Sequence, residues 1–148
     1  MNELSNKKFV LLAYYQGAYG PTVRIDIQTM EDLIKVRNIF SRLSQKIDDK
    51  INLAACENIK SIGVDKFVMV IVPKGPLAKK KLHLVNKKEK ASEFLWQLSS
   101  EDCETIDGLI EGLVEDNTPG HQYLSEEGID DALVELAYME FRPSDSES

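Results

Sequence analysis

The segment Asn117-Thr118-Pro119-Gly120-His121-Gln122-Tyr123-Leu124 holds the side chains best suited to chemistry: an imidazole and a phenol placed just after a reversing Pro-Gly pair. Glu115 and Asp116 precede them and Glu126 and Glu127 follow, so His121 lies among carboxylates along the chain. An imidazole in that company can take a proton from a substrate or deliver one, which is the acid–base chemistry of a small enzyme. Two plainer readings compete. Side chains that hydrogen-bond the backbone beyond a Pro-Gly turn can fix a long loop, and such a loop can serve recognition rather than catalysis.

Other chemistries have little to stand on. The chain has no G-x-G-x-x-G, no phosphate loop, no H-E-x-x-H and no G-x-S-x-G elbow. His83 and His121 are too few for a histidine-rich metal centre, and Cys56 and Cys103 are too far apart for a metal knuckle. The two cysteines read as partly buried thiols of a reducing compartment. No catalytic residue, metal ligand or cofactor is therefore nominated outright. The acids between Asp102 and Asp131 leave a carboxylate-only Mg²⁺ or Ca²⁺ site open, but none has the loop spacing of a calcium-binding hand, and Asp130-Asp131 reads as a helix start.

Charge points to a partner more directly than to a reaction. Residues 99–148 contain fifteen acids and one base, Arg142, whereas the preceding part carries seventeen bases against ten acids. The net charge of −7 conceals that split, which is either a solubility habit or a field aimed at a basic partner. Ser99 or Ser100 can cap a helix there, with Glu101 and Asp102 at its positive end and Ile106, Leu109, Ile110, Leu113 and Val114 as its buried stripe. The opposite face stacks Asp107, Glu111 and Glu115 at four-residue intervals with no intervening base. Each such like-charge pair costs about 0.2–0.5 kcal/mol. Gly108 and Gly112 run beside Glu104 and Asp116; an interior helical glycine costs about 1 kcal/mol relative to alanine, and close approach by another backbone, inside the fold or in a partner, would account for them.

Glu104, Asp107, Glu111, Glu115, Asp116, His121 and Tyr123 thus make the candidate partner-binding face. Carboxylates held on a helix can occupy phosphate positions on a basic protein. The leading expectation is an acidic immunity or inhibitor protein that binds a basic partner such as a toxin nuclease, fast and with a marked salt dependence. A small enzyme using His121 with nearby carboxylates is one alternative, and a structural homo-oligomer packed through the helix glycines is another.

The basic excess has an ordinary explanation. Lys74, Lys79, Lys80, Lys81, Lys87, Lys88 and Lys90 fall within seventeen residues, with His83 among them and only Glu89 opposing. Lysines on turns and an edge strand deter edge-to-edge pairing, and they can also meet the protein's own acidic part. No arginine or stacking motif accompanies them, so direct nucleic-acid binding is not expected.

The elements that must position these groups follow from periodicity. Residues 9–15 are apolar on both faces, as a central or helix-covered strand requires. Residues 22–27 alternate, sending Val23, Ile25 and Ile27 to a core and Arg24 and Asp26 to water. Thr29 caps an amphipathic helix from Met30 to about Ile47, in whose apolar series Arg37 is the polar member; its Lys35, Arg42 and Lys46 make a solvated face. Residues 51–53 and 59–64 are short strand candidates. Residues 66–72, 80–85 and 93–98 read as an antiparallel meander because their connections are short. Residues 125–140 lean to a helix through Ile129, Ala132, Leu133, Leu136 and Ala137, although 132–138 also alternate. The chain is thus expected to be one α+β domain over 1–148, ordered over about 7–142 with a frayed acidic tail at 144–148. It should hold a mainly antiparallel sheet of five or six strands with two or three helices packed on it. The apolar run at 9–15 is far shorter than a membrane span, so no membrane association is expected and cytoplasmic residence is the default.

Overall fold

Residues 9–75, 79–125 and 129–140 are described by the computed structural model. The expected tail and the residues at 126–127 lie outside them. Two strands, β1 (Val10–Gly17) and β2 (Gly20–Ile27), form an antiparallel hairpin closed at Gly20, whose φ of 114° suits glycine. Val23, Ile25 and Ile27 are buried in the core as their alternation demands. Arg24 and Asp26 take the other face but do not meet open water: Asp26 is only 1% exposed, and the Arg24 guanidinium lies 3.2 Å from its carboxylate.

The two helices are capped as the sequence implies. In α1 (Met30–Ser44), the Thr29 hydroxyl accepts from the Asp32 backbone N–H at 3.1 Å, and Leu33, Val36, Phe40 and Leu43 are buried. In α2 (Ser100–Asp116), Ser99 and Asp102 form a reciprocal capping box, and Cys103, Ile106, Ile110 and Leu113 are buried. The helix stops at Asn117, whose left-handed backbone is locked when its Oδ1 accepts from the Tyr138 hydroxyl at 2.8 Å.

Between the helices run β3 (Lys50–Asn52), a 3₁₀ turn (Leu53–Ala55), β4 (Ile59–Ile62) and β5 (Val64–Ile71). At Gly63, φ 77°, the chain leaves one sheet for another; a Cβ there would sit 3.0 Å from the Tyr14 carbonyl oxygen. Then come β6 (Leu82–Lys87) and β7 (Ser92–Leu98). The expected meander is not formed. The order is β3-β5-β7-β6, with β7 parallel to β5 and antiparallel to β6. β5 and β6 are therefore two strand spacings apart, roughly 10 Å. The physical reason lies in the burial patterns. Ser92, Phe94, Trp96 and Leu98 are all buried, so β7 takes the interior place, while β6 ends in the exposed Val85, Asn86 and Lys87 and takes the edge.

The second correction concerns residues 125–140. After β8 (Gly120–Tyr123), Leu133–Tyr138 is a strand, β9, and not a helix. It completes a five-stranded sheet of order β4-β1-β2-β9-β8, parallel to β2 and antiparallel to β8. All six of its residues are buried, so pairing on both edges decides what local periodicity left ambiguous. Both sheets and both helices share one core, in which Tyr14 meets Phe94 edge-on at 5.0 Å and Phe40 meets Trp96 at 6.1 Å. The α+β class, with two helices against a five-stranded sheet, is therefore as expected; the strand directions are mixed.

Asp130 and Asp131 do not start a helix either. Asp130 Oδ1 accepts from the backbone N–H groups of Lys81 and Leu82 at 2.7 and 2.9 Å, and Asp131 Oδ2 accepts from Leu84 at 2.8 Å. Carboxylates thus stand in for a missing strand along β6, and Lys80 adds an ion pair to Asp131 at 2.7 Å. Burial pushes the Asp131 carboxyl up, but Lys80 and the Leu84 N–H outweigh it and hold the group below its ordinary range. Its contribution is present above about pH 4, the unfolded value, and is lost as pH falls through the lower folded value. Urea titrations from neutral to strongly acidic pH should therefore show stability falling in that window, with a shallower fall in Asp131→Asn; equal slopes would refute the assignment.

Candidate functional site

The outer face of the five-stranded sheet gathers polar groups in two rows set by strand register. Ile62, Ala13, Arg24, Glu135 and Tyr123 stand side by side across the strands, as do Lys60, Leu11, Asp26, Ala137 and His121. Gln28 Nε2 donates to Asp26 Oδ1 at 2.7 Å and to the Glu140 carbonyl oxygen at 3.0 Å. That second bond fixes the chain just past β9. Met139 is held in the left-handed region, φ 57°, where an ordinary side chain costs about 1–2 kcal/mol, and it swings Glu140 back over β8.

Glu140 consequently reaches His121: its Oε2 lies 2.9 Å from the imidazole Nδ1. Glu135 completes the group from below, and one ligand atom from each of His121, Glu135 and Glu140 lies within 4.8 Å of the others. Glu135 is nearly buried, at 9% exposure, and the Tyr15 hydroxyl donates to its Oε1 at 3.5 Å. His121 packs edge-on against Tyr123 at 5.6 Å, and Tyr123 against Tyr19 at 6.5 Å. Tyr19, Tyr123, Ser125 and Leu133 line an open recess of ≈ 320 Å³, which shares Tyr123 with the imidazole's surroundings. Both neighbouring phenols are held above their ordinary range, Tyr15 and Tyr123 alike first by burial and then by the Glu135 charge.

Comparisons with protein-family models, with curated proteins and with solved structures return no match, so the site is argued from its own geometry. Among the described residues no helix is long and apolar enough to cross a membrane.

The residues nominated from sequence divide between two places. His121 and Tyr123 are neighbours on the edge strand β8, which is a strand rather than a loop. The carboxylates beside the imidazole are Glu135 and Glu140, not the chain neighbours Glu115 and Asp116. Their signal was hidden in the segment read as a helix. Glu104, Glu111, Glu115 and Asp116 are exposed on α2, and Asp107 is half-buried. The stacked line does have a base. Arg37 of α1 donates from Nε to Asp107 at 3.0 Å and from Nη2 to Glu111 at 3.3 Å. Its odd place in the apolar series of α1 was the available clue. Nor do Gly108 and Gly112 admit a neighbouring backbone within the fold: a Cβ at either would meet nothing within 4 Å.

The remaining titratable groups do not join the site. His83 Nε2 is paired with Gln97 Oε1 at 2.9 Å in the other sheet. Burial, helped by Asp102, pushes the Cys103 thiol up to about 12, which removes it as a nucleophile at neutral pH. Arg37 thus ties the helices together across an otherwise self-repelling face. Arg37→Met keeps the stem but strands two carboxylates; it should lower stability at low ionic strength and much less at high salt, measured by urea unfolding at two salt concentrations. A salt-independent loss would mean that packing, not charge, is what Arg37 supplies.

Proposed function

We propose that the protein works through the outer face of its five-stranded sheet, as a small enzyme in which His121 transfers protons with Glu140 and Glu135 behind it. The observation that carries this reading is the 2.9 Å contact between His121 Nδ1 and Glu140 Oε2, with an open recess on the same sheet face bounded by Tyr123, the imidazole's aromatic neighbour. A carboxylate on Nδ1 fixes the ring and its tautomer, leaving Nε2 to face a ligand. Tyr123 and Tyr19 supply an aromatic wall, and the carboxylates favour a neutral or cationic substrate over an anionic one. General acid–base catalysis contributes about 10²–10⁴-fold. A panel of neutral and cationic ester and amide substrates should thus reveal turnover that falls about 10²-fold in His121→Gln while thermal stability is kept. Absence of any His121-dependent turnover across the panel would remove the enzymatic reading.

A second reading retains the acidic face of α2 as a docking surface for a basic protein, in the manner of an immunity or inhibitor protein against a cationic nuclease. It is favoured by the exposure of Glu104, Glu115 and Asp116 around the open space at Gly108 and Gly112, where a partner's backbone could come close. Arg37 pairs with Asp107 and Glu111 and is felt more weakly by Glu115, so the charge on offer lies mainly at Glu104, Glu115 and Asp116. On this reading Glu104→Gln, Glu115→Gln and Asp116→Asn together weaken binding to a cationic nuclease and flatten its salt dependence. Unchanged affinity and salt slope in that triple variant would end it.

A further inference from the structure

We infer that His121, Glu135 and Glu140 form a binding site for one divalent transition-metal ion of the zinc or manganese class. This rests on the side chains of the enzymatic reading but makes His121 a ligand, with a metal-bound water in place of the imidazole as the reacting group, and ion binding is observable without turnover. One imidazole and two carboxylates are a sufficient protein donor set for such an ion, with water completing the shell. Their ligand atoms already lie within 4.8 Å of one another. Donors bound to one ion at about 2.0–2.2 Å stand roughly 3.5 Å apart, so small side-chain rotations close the set.

Independent support comes from Glu135. The residue is only 9% exposed, and the Tyr15 hydroxyl donates to its Oε1 at 3.5 Å. Arg24, directly across from it, lies 3.2 Å from Asp26 and also hydrogen-bonds the Tyr15 hydroxyl. A carboxylate held at the sheet surface in this way, beside an imidazole and a second carboxylate, is a ready donor to a cation. The site also has the parts that a metal centre needs around it. Tyr15 can orient Glu135, the Gln28 bond and the Met139 backbone hold Glu140, and the half-exposed imidazole leaves a path for the ion and its water. Binding requires the ligating imidazole nitrogen to be free of its proton, so affinity should fall as pH falls. A bound ion would supply a nucleophilic water on the sheet face that holds the Tyr19–Tyr123 recess.

The test uses the full chain, freed of metal by chelator and titrated with Zn²⁺ and separately with Co²⁺. Calorimetry, Co²⁺ absorption and the ring resonances of both histidines are followed together. Saturation at one equivalent, with His121 perturbed and His83 unmoved, is expected. His121→Asn and Glu135→Gln should each weaken binding at least tenfold, while Glu31→Gln on α1 leaves it unchanged. If Glu135→Gln does not fold, Glu140→Gln at the exposed rim carries the same expectation. Absence of saturable binding at millimolar ion, or affinity retained in His121→Asn, overturns the site. His121-dependent turnover that survives chelation with no ion bound overturns this inference and leaves the enzymatic reading standing. An ion bound with no turnover sustains this inference and removes the other.

Discussion

The structure depends on β9 being buried on both faces between β2 and β8. Six consecutive buried residues alternate between the core, which takes Val134, Leu136 and Tyr138, and the outer sheet face, which takes Leu133, Glu135 and Ala137. A slip of one residue would drive Glu135 into the core and turn Tyr138 away from Asn117, so the register is held by a penalty of several kcal/mol. Everything at the outer face inherits that register. Glu135 faces Tyr123, Ala137 makes room beside His121, and the chain leaves the strand where Gln28 and Met139 can direct Glu140 over the imidazole.

Electrostatics is organised as contact between the two parts of the chain that differ in charge. Lys81 pairs with Asp102 at 2.9 Å, Lys80 with Asp131, and Arg37 with Asp107 and Glu111. Such half-exposed pairs are individually weak. Their effect is distributive: the acidic part meets the basic part through these pairs, while Glu104 and Asp116 on α2 remain exposed among the described residues.

Capping and strict alternation made much of this legible in the sequence. Thr29 and Ser99 cap where their side chains and spacing say they should, and Val23, Ile25 and Ile27 face the core. Partnership between distant strands was not legible. Short links suggested a meander, but β7's fully alternating burial gave it the interior place and sent β6 to the edge. Ala132 to Tyr138 fits both periods, and only pairing to β2 and β8 separates them. Because that segment supplies Glu135 and leads to Glu140, the misread element concealed the carboxylates of the site. His121 and Tyr123 were found by residue type; the groups that complete them were not, since no spacing rule links positions 121, 135 and 140.

The carboxylate cover on β6 bears on how the chain is made. Asp130 and Asp131 accept backbone bonds from residues 47 to 49 positions earlier, and among the described residues no strand occupies that side of β6. During synthesis, which delivers domains from the N-terminus onward, the lysine-flanked edge must wait for its cover until almost the whole domain has emerged. Lysines 79 to 81 and 87 to 88 then read as interim protection, repelling other nascent chains until two aspartates close the edge for good.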